Sequence, residues 1–185
     1  LHYPLRRQRQ MCIRDSSKTE VAKLWDVKDS NIYYTVILML IYTGCRIGEL
    51  LDLKKENVNL EERYFKIVAS KTAAGIRTAP ISEKVYPFFE YWYNLNDCEY
   101  LLSTPEGEHF KYRNYYDSYW SPLIETLGMK HRPHDTRHTC ISMLTVAGVS
   151  DKVIKKIVGH KGQGVTEVVY THFEIEELID AINKI

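Results

Sequence analysis

A histidine and an arginine in the C-terminal half of the sequence have types and spacing suited to binding an anion. His134 and Arg137 lie three residues apart at the predicted start of a helix, so both side chains can project from its first turn. Backbone N–H groups and the positive end of the helix dipole at such a turn also favour a negatively charged ligand. Arg46 adds a second guanidinium if the fold brings the two turns together, and paired guanidiniums match the oxygens of a phosphate.

Tyr170 is a candidate nucleophile in the same half of the chain. It follows His160 by ten residues, across a glycine-rich turn of sequence KGQG. A free tyrosine has a pKa of about 10 and reacts poorly at neutral pH, but nearby cations stabilise its phenolate and an adjacent base can remove its proton. Taken alone, Tyr170 is one of 14 tyrosines and is better explained as a packed side chain at a helix end.

His134 and His138 also have the i, i+4 spacing of a pair of metal ligands. A metal site needs further carboxylate or thiolate ligands, and the sequence supplies neither an HExxH motif nor a cysteine cluster. Four widely spaced cysteines contain no CxxC pair: Cys12, Cys45, Cys98 and Cys140. This pattern favours reduced thiols over a disulfide framework or a zinc site, so we expect no metal and no cofactor.

The elements that must position these residues are mostly helical. Two β-rich runs, residues 64–69 and 76–81, flank a glycine-containing turn that carries Lys71, which predicts a hairpin in a small antiparallel sheet. Apolar periodicity and terminal glycines predict a helix starting near Thr19, a short helix starting at Arg46, and helices over residues 31–42, 83–95, 112–127, 136–147, 151–158, 165–172 and 174–185. We therefore predict a mainly α fold with a small antiparallel β-sheet (α+β).

Four ordered stretches resemble the motifs of the tyrosine recombinase, or phage integrase, family. Residues 42–53, YTGCRIGELLDL, resemble the box that carries the family's first catalytic arginine. Residues 134–139, HDTRHT, resemble its His-x-x-Arg box, and residues 158–160 and 169–172, VGH and VYTH, resemble its closing histidine and tyrosine boxes. Lys71 occupies the hairpin position of the family's catalytic lysine. The resemblance implies a catalytic domain similar to those of integrases of conjugative transposons and phages.

The resemblance also implies DNA strand exchange through a covalent intermediate. Tyr170 would attack a phosphodiester to give a 3′-phosphotyrosyl link, and Lys71 would protonate the 5′-oxygen that leaves. His134 would act as the acid or base near the tyrosine, His160 would donate a hydrogen bond to the phosphate, and the arginines would hold its oxygens without a metal. The implied catalytic residues are Arg46, Lys71, His134, Arg137, His160 and Tyr170, with Glu49 as structural support of the site.

The partner that the resemblance implies is double-stranded DNA carrying a recombination site. Two other functions remain open on the same fold. A type IB topoisomerase uses the same residue types for strand passage, and a DNA-binding module can keep the fold without catalysis. The compact spacing and the Gly-His box favour the recombinase, and the filled catalytic positions favour an active domain.

The beginning of the chain is predicted to lie outside the domain. Residues 1–17 lack periodicity and form a basic arm, either flexible or an artefact of sequence assembly, with a DNA-contacting linker as the alternative. The catalytic domain is expected over residues 18–185, without the N-terminal core-binding domain that the family usually carries, so DNA affinity and recombination by this chain alone should be weak. The arm has a net charge of +3 and the whole chain +1, a balance that neither supports nor excludes DNA binding.

The last segment of the chain is amphipathic. Within residues 174–185 the apolar side chains have helical spacing: Ile175, Leu178, Ile179, Ile182 and Ile185. The simpler interpretation is a helix packed on its own domain. The alternative implied by the resemblance is a helix docked on a neighbouring subunit of a DNA-bound homotetramer, the chain being a monomer when free.

Composition predicts a globular protein. The sequence is 44% hydrophobic and 12% aromatic, enough for a sizeable core. The longest apolar stretch, residues 32–42, is too short to cross a bilayer and is interrupted by Thr35, and the opening residues lack a secretory signal. We therefore expect a cytoplasmic location without membrane contact.

Overall fold

A buried helix lies at the centre of the fold. The computed structural model describes residues 15–69, 75–160 and 174–185. Its central helix, α2 (Tyr33–Thr43), has ten consecutive buried residues because its side chains are apolar on almost every side. The helix begins two residues later than predicted, since the Oδ1 of Asn31 accepts a hydrogen bond from the N–H of Tyr33 (3.0 Å) and forms a turn before it.

The first helix is fixed by a capping box. α1 (Lys18–Val27) begins after Ser17, whose Oγ accepts from the N–H of Glu20 (3.2 Å). The Ser17 N–H donates to Glu20 Oε2 in return (2.7 Å). The apolar side of α1 then packs on α2, and Trp25 Nε1 donates to the hydroxyl of Tyr42 near the end of that helix (3.1 Å).

The last residues of the predicted N-terminal arm contact α7 (Pro133–Val146). The N–H of Ser16 donates to Thr139 Oγ1 (2.9 Å), and Ser142 Oγ donates to Asp15 Oδ2 (2.6 Å). The folded chain therefore extends back to Asp15, three residues before the predicted boundary. The rest of the predicted arm, residues 1–14, lies outside the described residues.

Three short strands form one antiparallel sheet. The order is β1 (Val58–Asn59), β2 (Tyr64–Ile67) and β3 (Arg77–Pro80). β2 and β3 are the arms of the predicted hairpin, paired with Phe65 opposite Ala79, and both are shorter than predicted. The strand β1 was not predicted, because two residues are too few to show alternation.

The remaining described helices follow the predicted order, and the helix over residues 151–158 has its predicted bounds while each of the others is shifted at one end or both. They are α3 (Ile47–Leu51), α4 (Tyr86–Asn94), α5 (Tyr112–Tyr115), α6 (Ser121–Thr126), α8 (Asp151–Val158) and α9 (Ile175–Ile182), with a 3-10 turn at Lys55–Asn57. The single helix predicted over residues 112–127 is divided, because a π-helical turn (Tyr116–Trp120) joins α5 to α6. The helix predicted over residues 165–172 lies outside the described residues.

α7 begins three residues earlier than predicted. Pro133 occupies its first turn, where a missing N–H costs nothing, and Asp135 Oδ2 accepts from the N–H of Arg132 at its start (2.8 Å). This shift matters for the site, because it places His134 within the first turn and Arg137 in the second.

The apolar side of α9 packs on the same chain. Four of its side chains are buried against β3 and α8: Leu178, Ile179, Ala181 and Ile182. This is the simpler of the two predicted arrangements. The predicted fold class, mainly α with a small antiparallel sheet, is confirmed. Among the described helices, none has both the length and the apolar character that a membrane span requires.

Candidate active site

The first arginine of the site is held by the turn that ends α2. Gly44 closes that helix with φ +63°, and its N–H donates to the carbonyl of Leu40 (3.0 Å). Arg46 follows as the residue preceding α3. Glu49, in the first turn of α3, binds it twice: Oε2 accepts from the Arg46 N–H (3.0 Å) and Oε1 from its Nη1 (2.6 Å). The Arg46 side chain remains 31% exposed, so its guanidinium can still reach a ligand.

The second predicted arginine lies deeper. Arg137 is 2% exposed, and its Nη1 donates to the carbonyl of Gly44 (3.0 Å) and to that of Val158. It thereby links the end of α2 to the end of α8. Its Nη2 is buried and has no hydrogen-bond partner among the residues that the structure describes. A buried guanidinium nitrogen without an acceptor is costly, which favours an acceptor from beyond the described residues.

A third arginine, Arg77, was not identified from the sequence as part of the site. It is the first residue of β3, and its side chain is 2% exposed. Its Nε donates to the carbonyl of Ile157 (2.7 Å), its Nη1 to that of Gly75 (2.8 Å) and its Nη2 to Glu49 Oε2 (3.2 Å). The signal in the sequence was a charged residue at a position of β3 that alternation assigns to the core-facing side.

The site has more positive than negative charge. Arg46 and Arg77 both bind the Glu49 carboxylate, and the charge of Arg137 interacts with those of all three. Burial, together with the charges of Arg46 and Arg77, lowers the pKa of Arg137 to about 10, yet Arg137 stays protonated at neutral pH. Burial acts to raise the pKa of Glu49, but the Arg77 charge and the hydrogen bonds from Arg46 and Arg77 outweigh it and bring that pKa below its ordinary value. The uncompensated positive charge favours an anion beside this cluster.

His134 lies at the exposed edge of this cluster. Partial burial lowers its pKa, and the charges of His138, Arg137 and Arg46 act in the same direction. An imidazole kept neutral at pH 7 can accept a proton. The rings of His134 and His138 meet edge to face at 5.0 Å between centroids. Within the described ranges, no group of three or more His, Cys, Asp or Glu side chains is arranged to hold a metal.

His160 lies two residues after the end of α8. Gly159 ends that helix with φ +67°, and the N–H groups of Gly159 and His160 both donate to the carbonyl of Lys155 (2.9 and 3.0 Å). The His160 side chain is exposed. It lies two residues beyond Val158, whose carbonyl accepts from Arg137, so the arginine cluster is tied to the turn that carries it.

The structure thus brings together the predicted Arg46, Glu49, Arg137 and His134, and it places His160 on the adjoining turn. Lys71 and Tyr170, the other two predicted catalytic residues, lie outside the described residues. β3 begins six residues after Lys71, and α9 begins five residues after Tyr170.

Two buried thiols lie next to the arginines. Burial raises the pKa of Cys45 to about 11 and that of Cys140 to about 12, so both are neutral. These two and Cys98, the cysteines that the structure describes, are free thiols, as predicted.

Comparison with known proteins gives the family to which this chain belongs. The sequence model of the phage integrase family matches residues 16–177. Tyrosine recombinase XerA of Pyrococcus furiosus is 26% identical over 175 residues, which cover 91% of this chain and 60% of that protein. The Tn1549 transposon integrase, solved in complex with circular intermediate DNA, matches with a TM-score of 0.69 at 21% identity, over 88% of this chain and 64% of that one.

A lambda integrase tetramer bound to a Holliday junction also shares the fold. It matches with a TM-score of 0.64 at 16% identity, over 87% of this chain and 49% of that one. This chain belongs to the phage integrase family. The Pyrococcus furiosus relative is a tyrosine recombinase, which favours the recombinase interpretation over the type IB topoisomerase. The chain spans 60% of the length of that protein.

Proposed function

We propose that this chain is the catalytic domain of a site-specific DNA recombinase that cuts and rejoins DNA through a covalent bond to Tyr170. One observation carries the proposal. Arg46 and Arg77 both bind the Glu49 carboxylate, the charge of Arg137 interacts with all three, and the buried Nη2 of Arg137 has no partner in the described part of the chain. A phosphodiester supplies the negative charge and the oxygen acceptors that this cluster lacks.

The proposed cleavage step exchanges one phosphoester bond for another. The Tyr170 Oη attacks the scissile phosphorus, a new O–P bond forms, and the bond from phosphorus to the 5′-oxygen breaks. His134 takes the phenol proton, and Lys71 gives a proton to the departing 5′-oxygen. The reverse steps, with the 5′-hydroxyl of another strand, rejoin the DNA and release the tyrosine.

The cationic residues stabilise the negative charge that grows on the phosphate in the transition state. Arg46 and Arg137 hold its non-bridging oxygens, His160 donates a hydrogen bond to it, and Glu49 supports Arg46 without touching the substrate. Because these charges are fixed before the reaction begins, we propose that no metal is needed.

The proposed partner is duplex DNA, by analogy with relatives solved on DNA. A lambda integrase tetramer is known on a Holliday junction, and we propose a homotetramer on DNA here too, assembled through the C-terminal helix, with a monomer as the free form. The chain spans 60% of the length of the Pyrococcus furiosus relative and 64% of the Tn1549 integrase chain. The protein then works in the compartment that holds the DNA, which is the cytoplasm in a cell without a nucleus.

A covalent selection from random DNA tests this function without a defined target site. The chain is incubated at high concentration with a pool of random-sequence duplexes that carry a nick, so that cleavage releases a short fragment and prevents rejoining. Covalent protein–DNA complexes are isolated under denaturing conditions, and the attached strands are sequenced. We expect an enriched sequence, with the protein linked to a 3′-phosphate.

Two tyrosine variants identify the nucleophile. Tyr170→Phe is expected to abolish the covalent complex, whereas Tyr91→Phe, at an exposed tyrosine of α4 remote in sequence from the motifs, is expected to leave it unchanged. A covalent complex that persists in Tyr170→Phe would overturn the assignment of Tyr170 as the nucleophile. If the unmodified chain forms no covalent complex, the result would favour a DNA-binding module without catalytic activity. A complex that forms only with magnesium and disappears in a chelator would overturn the proposal that the reaction needs no metal.

A further inference from the structure

The Arg77 guanidinium donates hydrogen bonds to three segments whose relative positions matter for the proposed mechanism. One acceptor is the carbonyl of Gly75, on the arm of the hairpin that follows Lys71. A second is the carbonyl of Ile157, in the last turn of α8 before His160. The third is Glu49 Oε2, beside Arg46. All three nitrogens of the Arg77 side chain donate to acceptors in the protein, whereas Arg137 Nη2 has no acceptor among the described residues, so we assign the phosphate contact to Arg137 and not to Arg77.

Arg77 and Arg137 together complete the C-terminal end of α8. The last carbonyls of a helix have no partner within the helix and carry partial negative charge. Arg77 Nε binds the carbonyl of Ile157, and Arg137 Nη1 binds that of Val158. Two buried guanidiniums therefore act together with the left-handed turn at Gly159 to fix the end of α8, which precedes His160.

Arg77 also holds the carboxylate that orients Arg46. Glu49 Oε1 accepts from the Arg46 side chain, while its Oε2 accepts from Arg77 and from the Arg46 backbone. Loss of Arg77 would remove one of the donors to Oε2, so the carboxylate that orients the Arg46 guanidinium would be held less firmly. Only arginine offers a planar set of donors that reaches all three of its acceptors at once, so lysine cannot replace these contacts.

We propose that Arg77 is a positioning residue of the active site, which fixes Arg46 through Glu49 and His160 through the end of α8 and so keeps the phosphate-binding groups in register. This inference rests on the proposed recombinase function and deepens it. Loss of the hydrogen-bonding partner that orients a metal ligand typically costs about 10- to 100-fold in activity, and we expect an effect of the same order for Arg77. Arg77 should therefore affect the chemical step and leave DNA binding unchanged.

The test is single-turnover cleavage by Arg77→Lys on the suicide duplex enriched in the selection. Lysine keeps the charge and loses the three-way contact. We expect the cleavage rate at saturating DNA to fall about 10- to 100-fold, with the Kd for DNA unchanged and the circular dichroism spectrum of a folded chain. The control, Arg63→Lys, changes an arginine whose side chain is 33% exposed and pairs with Glu83 on the surface, and should cleave at the original rate.

A substrate with sulfur in place of the bridging 5′-oxygen separates the two possible routes of action. A thiolate leaves without being protonated, so this substrate should restore cleavage by Lys71→Ala. It should not restore cleavage by Arg77→Lys, since the proposed defect lies in stabilising the charge on the phosphate in the transition state and not in protonating the leaving group. Glu49→Asp keeps the charge but shortens the reach to Arg77, and it should give the same unrestored defect even if Arg77→Lys does not fold.

The cleavage rates of these variants decide whether Arg77 has a positioning role. Equal cleavage rates for Arg77→Lys and the unmodified chain would overturn the positioning role and leave the recombinase function intact. Restoration of Arg77→Lys by the sulfur substrate would also overturn it, because Arg77 would then act on the hairpin lysine. Absence of cleavage by the unmodified chain would overturn the recombinase function, and the positioning role with it.

Discussion

Glu49 is the residue on which the charge balance of the site depends. Its side chain is 5% exposed and carries the negative charge between Arg46 and Arg77. Removing one partner of a buried ion pair leaves the other charges uncompensated, which costs more than an exposed pair ever contributes. The sequence indicated Glu49 as support for Arg46. Its second partner, Arg77, became visible only in the structure.

We predict that Glu49→Gln lowers the free energy of unfolding by about 3–5 kcal/mol, because it leaves buried arginines without a counter-charge. Urea unfolding measures this change. The matched control is Glu83→Gln, which breaks an exposed pair with Arg63 and should cost less than about 1 kcal/mol. Equal effects of the two variants would show that Glu49 is not the counter-charge of a buried cluster.

His134 should be neutral in the free protein at pH 7. Burial and the neighbouring cations lower its pKa from the ordinary 6.5, so the imidazole stays deprotonated until the pH falls below that value. We predict an NMR titration midpoint below 6.5 for the peak that disappears in His134→Asn. Arg46→Gln should raise the midpoint, since it removes one of the cations. A midpoint at or above 6.5 in the unmodified chain would contradict the environment described here.

At the scale of elements, the site depends on how closely α2, α7 and α8 approach one another. They meet at Gly44, where a Cβ would lie 2.8 Å from Val158 Cγ1 and 2.9 Å from Cys140 Sγ. The same residue supplies the carbonyl that Arg137 binds. A glycine is needed here both for its positive φ and for the lack of space.

We predict that Gly44→Ala lowers the free energy of unfolding by the sum of two effects. The left-handed conformation costs about 1–2 kcal/mol for alanine, and overpacking costs about 1–3 kcal/mol more. Gly148→Ala isolates the first effect, because Gly148 has φ +75° with nothing within 4 Å of the added Cβ. Urea unfolding of both variants tests the prediction, and a Gly44→Ala chain no less stable than Gly148→Ala would rule out the close approach.

At the scale of the whole molecule, the packing of α9 determines whether the domain buries its apolar surface within one chain. In the free chain its apolar side is buried against β3 and α8, and Ile182 is fully buried. A helix used in this way contributes to the stability of its own domain. Docking on a neighbour in the proposed tetramer would require these contacts to be exchanged for equivalent ones.

We predict that Ile182→Ala lowers the free energy of unfolding of the free chain by about 2–5 kcal/mol, because it leaves a cavity in the core. The unfolding midpoint should not change over about a hundredfold range of protein concentration, since the contacts lie within one chain. Asp180→Ala, on the exposed side of α9, should change stability by no more than about 0.5 kcal/mol. A midpoint that rises with concentration would indicate that α9 docks on a second copy.

Much of this protein follows from its sequence alone. Apolar periodicity and turn residues predicted the helices and the hairpin, because they depend on local patterns of burial and backbone conformation. The ordered motifs predicted the family and the residues Arg46, Glu49, His134 and Arg137, because each lies in a short stretch with a recognisable neighbourhood. The ends of α7 and the division of the helix at Tyr116–Trp120 were missed, since local propensity changes little at those points.

Only the tertiary structure decided what holds those residues together. Arg77, Ile157 and Glu49 are far apart in the chain and belong to a strand and two helices, so no local pattern relates them. Their contacts arise because the packing of β3 against α8 brings a buried guanidinium to helix carbonyls that need a donor. The sequence determined which chemical groups are present, and the packing determined which of them share one hydrogen-bond network.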